Sequence, residues 1–303
     1  MKRKLGKKLV AAVAVMTMCV AMVTGCGADN GTANDASGSN DGTDSNVSND
    51  AEICVISRED GSGTRDAFTE LLGIMEDDVD NTTVNAEITN STSVMMTTVA
   101  GNEDAIGYVS LGSLNDSVKA IKVDGVEATT DNVSSGDYAV ARPFNIVTGD
   151  ELSENAQDFI NFIMSVEGQN IINEEGYIAV GGTENYTASG LTGTVTLAGS
   201  TSVAPVMEKI AEKYMELNEG MTVEIQQSGS GAGITSTIEG VCDIGMSSRD
   251  LKDTEIAEGV SATKIAMDGI AVIVNVDNQV DDLTSEQIKN IFVGETTNWS
   301  EVQ

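Results

Sequence analysis

The sequence predicts a two-lobed α/β protein, and three observations carry that expectation. From Ile53 onward, short β-branched runs alternate with amphipathic helical stretches. At 303 residues, with 40% hydrophobic residues and 31 glycines, the chain is long enough for two ordinary globular domains. Only two prolines occur and no long linker follows residue 50, so no contiguous domain boundary is marked and the lobes must interleave. Candidate strands are residues 53–57, 105–109, 194–198, 222–226 and 270–275. Between them Val203, Met207, Ile210, Tyr214 and Leu217 recur at helical spacing, as do Phe159, Ile160, Ile163 and Ile171. These apolar and aromatic positions are expected to form the core rather than a cofactor box.

The charge balance excludes several function classes. The 16 basic and 48 acidic residues give a formal net charge of -32, and five of the basic ones lie within the first eight positions. Setting those five aside leaves 11 basic against 48 acidic residues, a net of -37. Such a surface repels nucleic acid and anionic headgroups, so no nucleic-acid partner is expected. It repels small anions as well, so an anion site must act through local dipoles and hydrogen bonds.

Histidine is absent from the whole chain. That removes the usual general base of serine and cysteine nucleophiles and the commonest zinc ligand, and the expectation is a binding protein with no enzymatic activity, cofactor or metal. The four cysteines, Cys19, Cys26, Cys54 and Cys242, are too few and too scattered for a disulfide framework. Cys54 and Cys242 lie in apolar runs and are expected to be buried free thiols.

The first residues read as an address. Lys2, Arg3, Lys4, Lys7 and Lys8 precede an apolar run over residues 9–23 that is short for a membrane span, the pattern of an export signal. It ends in VTGC at residues 23–26, which resembles a bacterial lipobox. The resemblance implies a signal over residues 1–25, acylation of Cys26 with palmitate-type chains, and a lipid-anchored protein on the extracellular face of the cell membrane. Residues 26–50 are almost entirely Gly, Asn, Asp, Ser, Thr and Ala, as expected of a flexible tether.

Four segments share one design, in which hydroxyl and glycine residues stand between a strand and a helix. They are AGSTS at 198–202, SGSGAG at 228–233, GMSSR at 245–249 and SREDGSGT at 57–64. A helix start offers unpaired N–H groups and partial positive charge, glycine admits close approach of an anion, and serine or threonine adds O–H donors. Any one of these could be an ordinary capped turn. Four together, one carrying Arg58, point to a tetrahedral oxyanion. None matches a P-loop or a dinucleotide fingerprint, and no lysine lies within a turn of the serines to act as a base.

Longer segments make the resemblance specific: AGSTSVAPVMEKIAEKY, QQSGSGAGITSTIEG, DIGMSSRDLKDTE, DGIAVIVN, LTSEQIKNIF, TNWSEV, ISREDGSGTRDAF and AIGYVSLG. Over residues 53–302 the chain resembles the phosphate-binding proteins of phosphate ABC importers, in their Gram-positive lipoprotein form. The resemblance implies the type II periplasmic-binding-protein fold, two α/β lobes joined by a two-strand hinge. It also implies inorganic phosphate as ligand, permease subunits and an ATPase as partners, and a monomeric receptor. Carried over position by position, the phosphate ligands are Thr201, Ser202, Ser230, Arg58, Ser62, Gly63 and Thr64. Ser248 stands where the family carries an aspartate that accepts a proton from phosphate. Asp60 is expected to hold Arg58 in place, Ser247 to support the site, and Arg249 to form a surface or interlobe ion pair. A serine at 248 excludes sulfate less strongly than an aspartate would, unless Glu59 or Asp60 supplies the missing charge.

The segment order departs from the family. Its second half occupies residues 53 to about 185 here, and its first half follows from 191 to 302, joined through YTASG at 186–190. A circular permutation accounts for this order; a tandem-duplication fragment or a misjoined gene is the competing explanation. By analogy, one lobe is expected to combine residues 53–143 with 270–303 and carry Arg58, while residues 144–269 form the other and carry the hydroxyl turns. A receptor for sulfate or molybdate, and a surface sensor or adhesion protein without transport, stand as alternative functions.

Overall fold

A computed structural model describes residues 51–302 apart from 78 and 183. The export signal (1–25), Cys26 and the tether (26–50) lie outside the described residues. Among those described, eight strands form one path through a ten-stranded mixed sheet, in the order Met221–Gln227, Gly193–Gly199, Ile244–Ser247, Ala141–Thr148, Ser261–Val274, Ala105–Ser110, Cys54–Arg58 and Glu87–Thr89.

The long strand Ser261–Val274 belongs to both halves of this sheet. Up to Gly269 it pairs antiparallel with Ala141–Thr148, and from Ile270 it pairs antiparallel with Ala105–Ser110. The Ile270 N–H donates to Val140 O at 2.8 Å just where the partner changes. The chain therefore crosses between lobes on two adjacent strands, the geometry of a hinge. Two separate cores confirm the two-lobed α/β architecture. One draws on residues 53–140 and 270–302 and is centred on stacked Phe68 and Tyr108, 4.0 Å apart, with Phe292 against Phe68. The other draws on residues 144–266 and contains the edge-on pair Phe159 and Tyr214.

Parallel strands need crossover connections, and here helices supply them. Gly193–Gly199 runs parallel to both Met221–Gln227 and Ile244–Ser247, with the helices Ala204–Leu217 and Ser230–Ile238 as the crossings. Gly199 lies in register with Gln227 on one side and Met246 on the other, so the turns that follow all three strands open at one sheet edge. In the other lobe Cys54–Arg58 is parallel to Glu87–Thr89, with Arg58 opposite Thr89, and the helices Gly63–Leu71 and Thr92–Ala100 follow them. Ligands of open α/β sheets bind at such carboxyl ends.

The start and end of the described chain meet. Ile53 N–H donates to Thr297 O at 2.8 Å, and Trp299 N–H donates to Ala51 O at 3.0 Å. The Trp299 ring is buried in the Arg58 lobe, its Nε1 donating to Asp104 O. The connecting segment at 186–190 is pinned at the far end. Asp158 accepts from Tyr186 Oη at 2.7 Å, Ser189 Oγ at 2.8 Å and Tyr214 Oη at 2.6 Å.

Cys54 and Cys242 are free thiols, Cys242 buried and Cys54 half-buried. Burial, aided by neighbouring carboxylates, raises both thiols above their ordinary range, which keeps them protonated and unreactive at neutral pH.

Candidate anion-binding site

Arg58 ends its strand inside the protein, 2% exposed. A buried guanidinium must find partners, and it has two kinds. Nε and Nη2 each donate to the Glu59 carboxylate at 2.8 Å, and Nη2 also donates to Thr201 Oγ1 of the opposite lobe at 3.1 Å. Beneath it Ser57 Oγ lies 2.9 Å from Tyr108 Oη. Burial pushes the Tyr108 phenol up to about 12, against the pull of Ser57 and the two arginines, so it stays neutral.

Around Arg58 the hydroxyls of both lobes close into one cluster. Thr64 Oγ1 is 2.9 Å from Ser202 Oγ, while Thr92 Oγ1 lies 3.2 Å from Thr201 Oγ1 and 3.3 Å from Ser202 Oγ. Within the second lobe Ser200 Oγ donates to Ser248 Oγ at 2.9 Å, Ser230 Oγ is 3.3 Å from Ser248 Oγ, and Ser248 N–H donates to Ser230 Oγ at 3.1 Å. Gly231 N–H donates to Gly61 O at 2.9 Å, so the lobes also meet through backbone. All of these hydroxyl residues are buried.

Gly63 shows how tightly the turns approach. A Cβ there would overlap Ser230 Oγ and sit 2.7 Å from Ser248 Oγ, closer than real Cβ atoms come. The helix starts are partly satisfied within the protein, Ser202 and Val203 N–H by Ser200 Oγ and Gly231 N–H by Gly61 O. Neither Gly229 nor Val203, the N-caps of Ser230–Ile238 and Ala204–Leu217, makes a side-chain cap bond, whereas Ser62 Oγ accepts from Arg65 N–H. Neutral hydroxyls and one guanidinium thus converge between the lobes beside two helix starts, a set suited to a small oxyanion.

All eight residues anticipated from sequence as anion ligands lie in this cluster or in its immediate turns. Asp60 does not hold Arg58. Its carboxylate is fully exposed and pairs with Arg65 Nη1 at 3.0 Å, while Glu59 takes the Nε–Nη2 edge of the guanidinium. The turn at Gly61, with φ of 81°, carries the chain away beyond Asp60, and it is the preceding carboxylate that folds back onto Arg58. Asp60 acts only at one remove, since Arg65 Nη1 also donates to Arg58 O at 2.8 Å. Ser247 serves its own turn, donating to Arg249 O at 2.8 Å.

Four contributors were not singled out from sequence. Thr92 belongs to NSTS at 90–93, a fifth hydroxyl-rich helix start that the same criterion would have found. Ser200 Oγ accepts from Ser202 N–H at 3.2 Å and orders that turn. Arg142 and Asp268, directly opposite each other on the hinge strands, form a buried ion pair at 3.1 Å. Ser110 Oγ donates to Asp268 at 2.9 Å, and Arg142 Nη1 reaches Ser248 O at 3.4 Å, so the hinge is tied to the serine turn.

The PBP superfamily domain matches residues 34–167 and 184–303. The chain belongs to the PBP superfamily. Among its members, the phosphate-binding protein PstS 2 of Streptococcus agalactiae serotype V is 50% identical over 291 residues, 94% of this chain and 96% of its own length. A superfamily member of known structure, the phosphate-binding protein of a phosphate ABC transporter from Streptococcus pneumoniae, is 46% identical. It superposes with a TM-score of 0.68, covering 84% of this chain and 100% of its own. The phosphate-binding protein PstS of Staphylococcus saprophyticus is 38% identical over 131 residues, 41% of each chain.

Proposed function

We propose that this protein is the phosphate receptor of an ABC importer, a binding protein rather than an enzyme. The observation that carries the reading is the convergence of Arg58 with hydroxyls from both lobes, within hydrogen-bond distance of one another and sealed from solvent. Phosphate is held by Arg58, Ser62, Gly63 and Thr64 from one lobe and by Thr201, Ser202, Ser230 and Ser248 from the other. Closure about the hinge buries the anion, and opening releases it to the importer's permease subunits, whose ATPase drives uptake. The lobes comprise residues 53–143 with 270–303, and residues 144–269. The receptor works as a monomer on the extracellular face of the membrane, anchored through acylated Cys26. Calorimetric titration with phosphate tests the reading, and absence of binding refutes it. Replacement of Cys26 by serine should release the protein into the medium; retention at the membrane refutes the anchor.

Ser248 favours a broader ligand range as a second reading. A hydroxyl accepts or donates with equal ease, so it repels a fully deprotonated anion less than a carboxylate does. Titration with sulfate and molybdate beside phosphate decides it.

The chain is further read as a circular permutant of the shorter-matching relatives. Two observations support this: the pairing of Ile53 with Thr297, and a full-length match to the streptococcal protein beside a match of 41% to the staphylococcal one. A chain rejoined across 302 and 51, with new ends opened within 187–190, should bind phosphate as the parent does. Loss of folding in that chain refutes the permutation.

A further inference from the structure

Arg249 follows Ser248 directly, yet its guanidinium points away from the anion cluster and is nearly buried, 6% exposed. In its own lobe it makes a two-pronged contact with Glu255, Nη1 to Oε2 at 2.8 Å and Nη2 to Oε1 at 2.7 Å. Its Nε lies 2.8 Å from Asp66 Oδ2 in the other lobe, a charge contact whose angle falls outside hydrogen-bond geometry. Asp66 stands in the first turn of the helix Gly63–Leu71, two residues beyond Thr64. Each member of this interlobe pair is thus within two residues of an anion-binding turn. The other ion pairs among the described residues join groups within one lobe or on the hinge strands.

We infer that Arg249 and Asp66 form a latch that holds the lobes closed, keeping the Ser248 turn against the Gly63–Thr64 turn and setting how long the anion stays bound. Arg249 is a positioning residue and does not touch the ligand. Glu255 holds the guanidinium fork in place before closure, and Lys252 N–H in turn holds Glu255 at 2.8 Å, so little side-chain freedom is lost when Asp66 arrives. In the open form Asp66 and Arg249 separate and Asp66 regains water. Closure brings them together in a half-dry interface, where attraction is screened less. A contact present only in the closed state raises affinity by favouring that state, whichever anion fills the site.

The inference rests on the phosphate reading for its ligand, and two measurements separate the two claims. Stopped-flow binding of phosphate to Asp66→Asn should show dissociation faster by about tenfold, with association changed by less than about twofold. Arg249→Met should give the same loss, and the double variant should be no worse than Arg249→Met alone. Additive losses, an unchanged dissociation rate, or an effect confined to association would overturn the latch. Should Arg249→Met fail to fold, Asp66→Asn decides by itself. Small-angle scattering at an anion concentration that half-closes the parent, with phosphate or, should phosphate not bind, sulfate, should show Asp66→Asn more open than the parent, and an unchanged envelope also overturns the latch. A parent protein that binds no phosphate sinks the phosphate reading, while the scattering comparison still judges the latch.

Discussion

Arg58 Nη2 donates to Thr201 Oγ1 at 3.1 Å, joining residues 143 positions apart in sequence and in opposite lobes. Truncating Arg58 to alanine leaves a bound anion without its only cationic partner among the cluster. Phosphate affinity should fall by about 3–5 kcal/mol, read by calorimetry. Arg58→Lys should recover only part of the loss, since a point charge cannot face Glu59, Thr201 and the anion at once. Unchanged affinity in the alanine variant would refute the site.

Glu59 and Asp60 should separate cleanly. Glu59→Gln removes the charge that compensates the buried guanidinium and should lower the stability of the ligand-free protein by about 1–3 kcal/mol in urea unfolding. Asp60→Asn, altering a fully exposed carboxylate, should change neither stability nor phosphate affinity measurably. The reverse pattern would restore Asp60 as the residue that orients Arg58.

Gly63→Ala tests the close approach of the lobes. The new methyl meets Ser230 and Ser248 hydroxyls in the closed form but has open space once the lobes part. Phosphate affinity should fall at least about a hundredfold, roughly 2.7 kcal/mol, while the melting temperature of the ligand-free protein changes little. Wild-type affinity in this variant would show that the turns do not close on the anion as described.

Glu255 gives the fold an acid-sensitive contact. Burial works to raise its carboxyl, but the hydrogen bonds from Arg249 and Lys252 N–H outweigh it and hold the group below its ordinary 4.5. A depressed folded value means that the contribution is fully present above about pH 4.5 and is lost as pH falls through the lower folded value. Urea unfolding of the parent and of Glu255→Gln should differ at pH 7 and converge on acidification. A gap that stays constant below pH 4 would show that the carboxylate is not the source.

The α/β class, the two lobes and the four glycine- and hydroxyl-rich turns between strand and helix were legible because they rest on local features: period, capping residues, and glycine beside hydroxyls. The candidate strand at 270–275 was placed correctly at its far end but begins at Ser261, since the sequence over 261–269 is mixed and only pairing with Ala141–Thr148 makes it a strand. Partner choice was not legible. Residue type does not distinguish Glu59 from Asp60; the backbone path into the turn at Gly61 does. Arg142 and Asp268 are 126 positions apart, and only the hinge register sets them opposite each other. Thr92 does carry a sequence signal, the short hydroxyl-rich helix start at 90–93.

The meeting of Ile53 with Thr297 also orders events in time. The core over residues 144–266 comes from one uninterrupted stretch, so it can consolidate without waiting for distant chain. The Arg58 lobe must wait, its strand Ala105–Ser110 unpaired along one side until Ile270–Val274 arrives and its core incomplete until Trp299 is buried. Pulse-labelled hydrogen exchange during refolding should therefore find amides around Phe159 and Ile210 protected before those of Ile53 and Ile56, and simultaneous protection would contradict it. Until the hinge strand and Trp299 are in place, the Arg58 lobe keeps an unpaired sheet edge along Ala105–Ser110, the kind of edge that recruits other chains.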